Sequence, residues 1–179
     1  MTGKNSLIWI EKGFEIVAYN GFDALNIESL SKAIGKNKSS FYHYFGSLDV
    51  FTTELLKYHT DYSKIFSQKA SDAEKLIPDV IHVFLEEKNH IFFHKQLQIK
   101  RENPEFKACF EKVFDINQKV LADKFEEFFE LDSRVYLKNF MGLIFENFLM
   151  NITPETYNYQ WIEKYLREMY LLKQHLSPQ

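Results

Sequence analysis

The 179-residue chain has one cysteine, Cys109, so no disulfide can form within it and no cysteine-built zinc cage is available. Six glycines and four prolines are too few for an all-β chain full of tight turns. The net charge is only −3 while apolar residues make up 45%, which excludes disorder as the main state. No stretch reaches the ~18 unbroken apolar residues of a membrane span; the richest, Phe140 to Met150, is interrupted by Glu146 and Asn147. The first fifteen residues carry charges inside their apolar part, unlike a secretory signal. The expectation is a soluble cytoplasmic protein of one domain, or of two small ones sharing a core. No Gly-rich phosphate loop, nucleophile elbow or zinc-protease helix occurs, so the chain reads as a non-enzyme without a cofactor.

Aromatic residues, in contrast, are abundant at 17%. Of the 18 phenylalanines, four lie in residues 1–50 and fourteen in residues 51–179. The second part must therefore fill a large aromatic volume, as a solid core, a ligand cavity or a subunit interface.

Apolar spacing predicts an all-α fold of about nine helices with no strand. Trp9, Ile10, Gly13, Phe14, Val17 and Ala18 form one stripe of a helix over 5–20. Asn26 can cap a helix over 27–34, with Ile27, Leu30, Ala33 and Ile34 buried and Gly35 ending it. Asn37 can cap another over 38–45, with Phe41, Tyr42 and Phe45 apolar. Two eight-residue helices joined by a short turn make a helix-turn-helix. A long helix follows from 48 to about 70. Pro78 suits the start of the next, which bends near Lys88-Asn89 and is followed by a helix to about Glu102. Asn103-Pro104 starts a helix over 105–130, Asp132-Ser133 caps one to about Asn151, and Thr153-Pro154 opens the last, to about Lys173.

Residues 29–48 contain Lys32, Lys36 and Lys38 and no acidic residue, a locally positive window in an acidic chain. Such a field suits a phosphate backbone. In a helix-turn-helix the second helix enters the major groove with its N-terminal residues nearest the bases. Ser39 and Ser40 are small enough for close approach, and their hydroxyls can bond phosphate or bases.

The stretch from Gly21 to Phe51 resembles the N-terminal DNA-binding domain of TetR-family transcriptional regulators. The matching residues are Gly21-Phe22, Ala24, Ile27, Leu30, Ala33-Ile34-Gly35 and Phe41-Tyr42-His43-Tyr44-Phe45, with the stripe from Trp9 to Ala18 fitting the first helix. The resemblance covers about residues 5–55. It implies a DNA-binding domain over 1–48, with its recognition helix at about 38–45, and a helical effector-binding and dimerisation domain over 49–179. The DNA-facing set is then Asn26, Lys36, Asn37, Lys38, Ser39, Ser40, Tyr42, His43 and Tyr44, with His43 the variable base reader. Tyr42 and Tyr44 match family positions that touch the DNA backbone or base edges. Three positions depart from the family pattern. Lys36 replaces a common apolar residue, Glu28 stands where a basic residue is frequent, and Leu48 replaces a frequent lysine. Residues 1–50 hold five lysines and five acids, so weak or salt-sensitive DNA binding is expected.

The helix over 135–152 is apolar almost all round, which requires burial on two sides. With the final helix it is expected to form a four-helix interface in a homodimer, through Phe145, Phe148, Leu149, Trp161, Tyr165 and Met169. Phe93, His94, Leu97, Phe110, Phe114, Tyr136, Asn139 and Phe140 are candidates to line a pocket for an apolar or aromatic small molecule. His90 and His94 have the i, i+4 spacing of a metal pair, although exposed or pocket-lining histidines give the same pattern. The expected function is a ligand-responsive regulator, a repressor, that reads a palindromic operator in double-stranded DNA. Two alternatives are a DNA-binding protein with a solid core and no ligand control, and a helical small-molecule-binding or interaction protein whose DNA-binding head is weak or lost.

Overall fold

The computed structural model describes residues 4–131 and 135–176. Its regular elements are helical throughout the described residues. They are α1 (Lys4–Asn20), α2 (Ile27–Ile34), α3 (Lys38–Phe45), α4 (Leu48–Asp72), α5 (Ile81–Glu86), α6 (Lys88–Ile99), α7 (Pro104–Phe129), α8 (Leu137–Asn151) and α9 (Tyr159–Leu176). No helix among the described residues is long and apolar enough to cross a membrane.

Side-chain caps set several of the helix starts. The Asn26 carboxamide oxygen accepts from Ser29 N at 2.8 Å, and that of Asn37 accepts from Ser40 N at 2.8 Å. Both satisfy amides that a helix start leaves without partners. Gly35 closes α2 in the left-handed conformation, at φ 64° and ψ 32°, which side chains disfavour. Asn103 caps α7, accepting from Glu105 N at 2.9 Å, with Pro104 in the first helical position.

Some starts differ from the sequence pattern. Pro78 does not open a helix. It follows a cis peptide bond in a turn over Leu76–Val80, and α5 starts at Ile81. The last helix starts at Tyr159 rather than after Thr153-Pro154. Thr153 and Thr156 close a local turn on each other, and Asn158 caps α9 by accepting from Trp161 N at 3.0 Å. On α2 the buried residues are Leu30 and Ser31; Ala33 is exposed and Ile27 and Ile34 are half-buried. The expected Asp132-Ser133 cap lies outside the described residues.

The chain divides into two compact units: Met1–Tyr62 with Asn89–Lys112, and Ser63–Lys88 with Val113–Gln179. The first extends beyond the expected head at 1–48 because α1 and the turn after it pack on α6 and α7. Phe14 stacks on Phe93 and Phe22 on Phe106, each with ring centres 4.2 Å apart. The core of the head itself is Trp9, edge-on to Phe41 at 5.4 Å, with Phe51 of α4 at 5.2 Å from Phe41 and 4.8 Å from Phe45.

In the second unit, Phe148 of α8 lies among the rings of Phe84, Tyr157, Trp161 and Tyr165. Two buried phenols are fastened to backbone. Tyr157 OH donates to the Phe84 carbonyl at 2.8 Å and Tyr165 OH to the Ile144 carbonyl at 2.7 Å. Such bonds remove the penalty of burying a hydroxyl.

Candidate nucleic-acid interface and apolar cavity

The helix pair α2–α3 has an inner and an outer face. Phe41 and Phe45 are buried at 0% and 6% exposure, and they fix α3 by one side only. Everything between them points outward: Tyr42 is 53% exposed, Tyr44 40%, and His43 is exposed beside them. Lys36, Asn37, Lys38 and Ser39 are exposed at the turn and the first turn of α3, while Ser40 is half-buried. Seven of the nine residues expected to face DNA are therefore open to solvent on α3 and the turn before it. Asn26 is exposed too, but its side chain is engaged locally: the oxygen caps α2 and the Nδ2 donates to the Ala24 carbonyl at 3.2 Å.

One relationship was not visible in the sequence pattern. Lys38 Nζ lies 3.2 Å from Glu28 Oε2, so these two residues, one in the expected DNA-facing set and the other a departure from the family pattern, form an ion pair. They are ten residues apart, on different helices, and no single-helix periodicity pairs them.

The second unit encloses an apolar cavity of about 50 Å³. Phe66, Phe84, Phe114, Leu121, Ile144 and Phe145 are among its walls, and Asn117, Gln118 and Tyr165 supply polar atoms. Ser67 Oγ donates to Asn117 Oδ1 at 2.9 Å, which orients that carboxamide. Burial pushes the Tyr165 phenol above its ordinary value, so it stays a neutral donor.

Of the eight ligand candidates, Phe114 lines this cavity. Phe93, His94, Leu97 and Phe110 belong to the first unit, where Phe110 stacks on His94 at 4.2 Å. Tyr136 is 72% exposed, Asn139 is exposed, and Phe140 packs edge-on against Phe129. The walls that the sequence reading missed come chiefly from α7, α8 and α9, with Phe66 of α4 and Ile81 and Phe84 of α5 added. They are apolar at helical spacing, a signal that does not separate a cavity wall from solid core.

The six residues expected at a subunit interface divide similarly. Phe148, Leu149 and Tyr165 are buried inside the protomer's own second unit, and Phe145 faces Phe84 and Phe114. Buried side chains have no surface left to offer a partner. Trp161 and Met169 are half-buried. The apolar side chains of these two helices that do stand in solvent are Leu143 (72%) and Met150 on α8, and Leu171, Leu172 and Leu176 on α9.

His90 and His94 are neither exposed nor part of the cavity. They are buried in the first unit, where His59 joins them, a residue the sequence reading passed over. Among the described residues no group of three or more His, Cys, Asp or Glu side chains is arranged to hold a metal ion. The Cys109 thiol is buried, and burial raises its pKa. No family model and no curated protein matches the chain.

Proposed function

We propose that the protein is a cytoplasmic transcriptional regulator of the TetR type, a repressor that binds double-stranded DNA as a homodimer. The observation that carries this reading is α3, an eight-residue helix clamped from behind by Phe41 and Phe45. Its outer face offers Lys38, Ser39, Tyr42, His43 and Tyr44 to solvent. A helix so held can enter a major groove without unfolding anything. Lys36 and Lys38 meet phosphates, the tyrosines meet backbone and base edges, and His43 reads a base.

Two copies joined through Leu143 and Met150 of α8 and Leu171, Leu172 and Leu176 of α9 present two such helices to one palindrome. The effector is an apolar or aromatic small molecule bound at the second unit's cavity. At about 50 Å³ that cavity is small, well below the roughly 300–1,000 Å³ of drug-sized sites. The effector therefore enters by displacing ring side chains such as Phe114 and Phe145. It lowers DNA affinity only if it binds the DNA-incompetent state more tightly.

A second reading is favoured by the Glu28–Lys38 pair, which occupies a cation of the groove-facing surface. On that reading the chain is a helical small-molecule-binding or interaction protein with a weak or lost DNA-binding head. Selection of bound duplexes from a random pool at low salt separates the two. The regulator reading expects a palindromic winner, and a folded protein that retains no duplex at all supports the second reading.

A further inference from the structure

Three imidazoles meet inside the first unit. His59 comes from α4, and His90 and His94 come from α6, one turn apart. Their exposures are 0%, 1% and 2%. His59 Nε2 lies 3.0 Å from His94 Nδ1. The His59 ring centre is 4.3 Å from that of His90 and 5.3 Å from that of His94. The remaining ring nitrogen of His59, Nδ1, is buried and has no hydrogen-bond partner among the described residues.

The surroundings are mostly apolar. Phe14 of α1 and Phe93 of α6 lie 5.8 Å and 4.8 Å from His59, and Phe110 of α7 covers His94. Titratable groups on the enclosing elements include Tyr62, 5.6 Å from His90, Tyr58 against Phe14, half-buried Lys95, and the Cys109 thiol of α7, which donates to the Leu56 carbonyl and feels the charge of Lys112; α4 also carries Lys57 and Asp61. A hydrogen bond between two imidazoles needs one N–H and one lone pair. A further proton on the His59–His94 pair sets two N–H groups against each other across 3.0 Å.

We propose that the His59–His90–His94 cluster is an acid-operated latch: proton uptake by these rings opens the packing of α4 on α6 and unseats α3. The link to α3 runs through two helices. α1 carries both Phe14, stacked on Phe93, and Trp9, which seats Phe41. α4 carries both His59 and Phe51, which touches Phe41 and Phe45.

Burial holds all three rings below the ordinary imidazole value of 6.5, His90 at about 3, and repulsion from His90 and His94 lowers His59 further. The stability this neutrality confers is fully present above 6.5. It is lost as pH falls below 6.5, because the opened chain binds protons that the closed one refuses. Each such histidine favours the open form about tenfold for every pH unit below that value, so three together act about a thousandfold per unit. Loss of DNA binding in acid rests on the regulator reading; the opening does not.

The test uses the full chain carrying Trp161→Phe, so that Trp9 is the one indole. Its emission, the hydrogen exchange of residues 48–62 and 89–99, and binding to a random duplex are followed from about pH 7 to about pH 5, above the ordinary carboxylate range. A cooperative change that takes up two or more protons is expected. It should flatten by at least a hundredfold per pH unit in the variant His59→Gln, His90→Leu, His94→Asn, whose replacement side chains take no proton. An unchanged Trp9 signal down to pH 5, or the same transition in the variant, overturns the latch. Should the variant not fold, carbon NMR of the imidazoles in the unmutated chain decides instead. The latch requires all three rings to stay neutral in the closed form at pH 6, and a charged ring there overturns it. An acid transition without duplex binding at any pH leaves the latch standing and refutes the regulator reading.

Discussion

Lys38 and Glu28 face each other across the turn between α2 and α3, with 3.2 Å between ammonium nitrogen and carboxylate oxygen. The side chains are 55% and 81% exposed, so the pair adds little to folding. Its consequence lies in competition: a phosphate that takes Lys38 must first displace Glu28.

Glu28→Gln is therefore expected to tighten binding to every duplex several-fold, and to steepen the dependence of log affinity on log salt by up to about one. Lys38→Ala should weaken binding across all sequences and flatten the same slope. Fluorescence anisotropy over a salt series measures both. Weaker binding by the glutamine variant removes the competition argument.

Gly13 is a packing requirement. A Cβ built there lies 2.6 Å from Phe51 Cζ, and Phe51 is fully buried against Phe41 and Phe45. Gly13→Ala should cost about 1–3 kcal/mol by overpacking, only partly offset by the helix propensity of alanine. Gly142→Ala is the control, since its nearest neighbour, Phe114 Cζ, is at an ordinary 3.8 Å. Urea denaturation should show the first destabilised and the second neutral or stabilised. Equal midpoints for the two variants refute the steric account.

Leu143 tests the proposed subunit interface better than the residues favoured by the sequence pattern. At 72% exposure its side chain serves no core of its own. Leu143→Asp should convert a dimer to a monomer in sedimentation velocity without lowering protomer stability. Phe145→Asp, placed between Phe84 and Phe114, should destabilise the second unit itself. A Leu143→Asp protein that still sediments as a dimer places the interface elsewhere.

The cavity yields a test with a defined probe. Benzene should raise the melting temperature of the unmutated protein, because a ligand that binds only the folded state stabilises it. Ile144→Phe, which grows into the cavity wall, should abolish that increase. An undiminished benzene effect in the variant means that the ligand binds at a different place.

The helix-turn-helix was legible because its signals are local. Asn26, Gly35 and Asn37 act within three or four residues of themselves, and the bounds 27–34 and 38–45 are those observed. The later starts were less legible. Thr153-Pro154 carries the same cap pattern as Asn103-Pro104, yet only the second opens a helix, because Thr153 bonds to Thr156 and leaves the capping to Asn158. The pocket candidates were chosen as mostly aromatic residues at helical spacing, and composition does not say which rings close on each other and which leave a gap.

From the chain alone came the all-α class, the absence of a disulfide, and the two short helices with Phe41 and Phe45 inward. All of these follow from residue identity or from the 3.6-residue period. Three further features came from tertiary structure: His59 beside His90 and His94, Glu28 against Lys38, and the side of α8 that its own unit covers. Each depends on which distant segments pack together. Periodicity marks a face as apolar or polar, but it does not name the partner that face will meet.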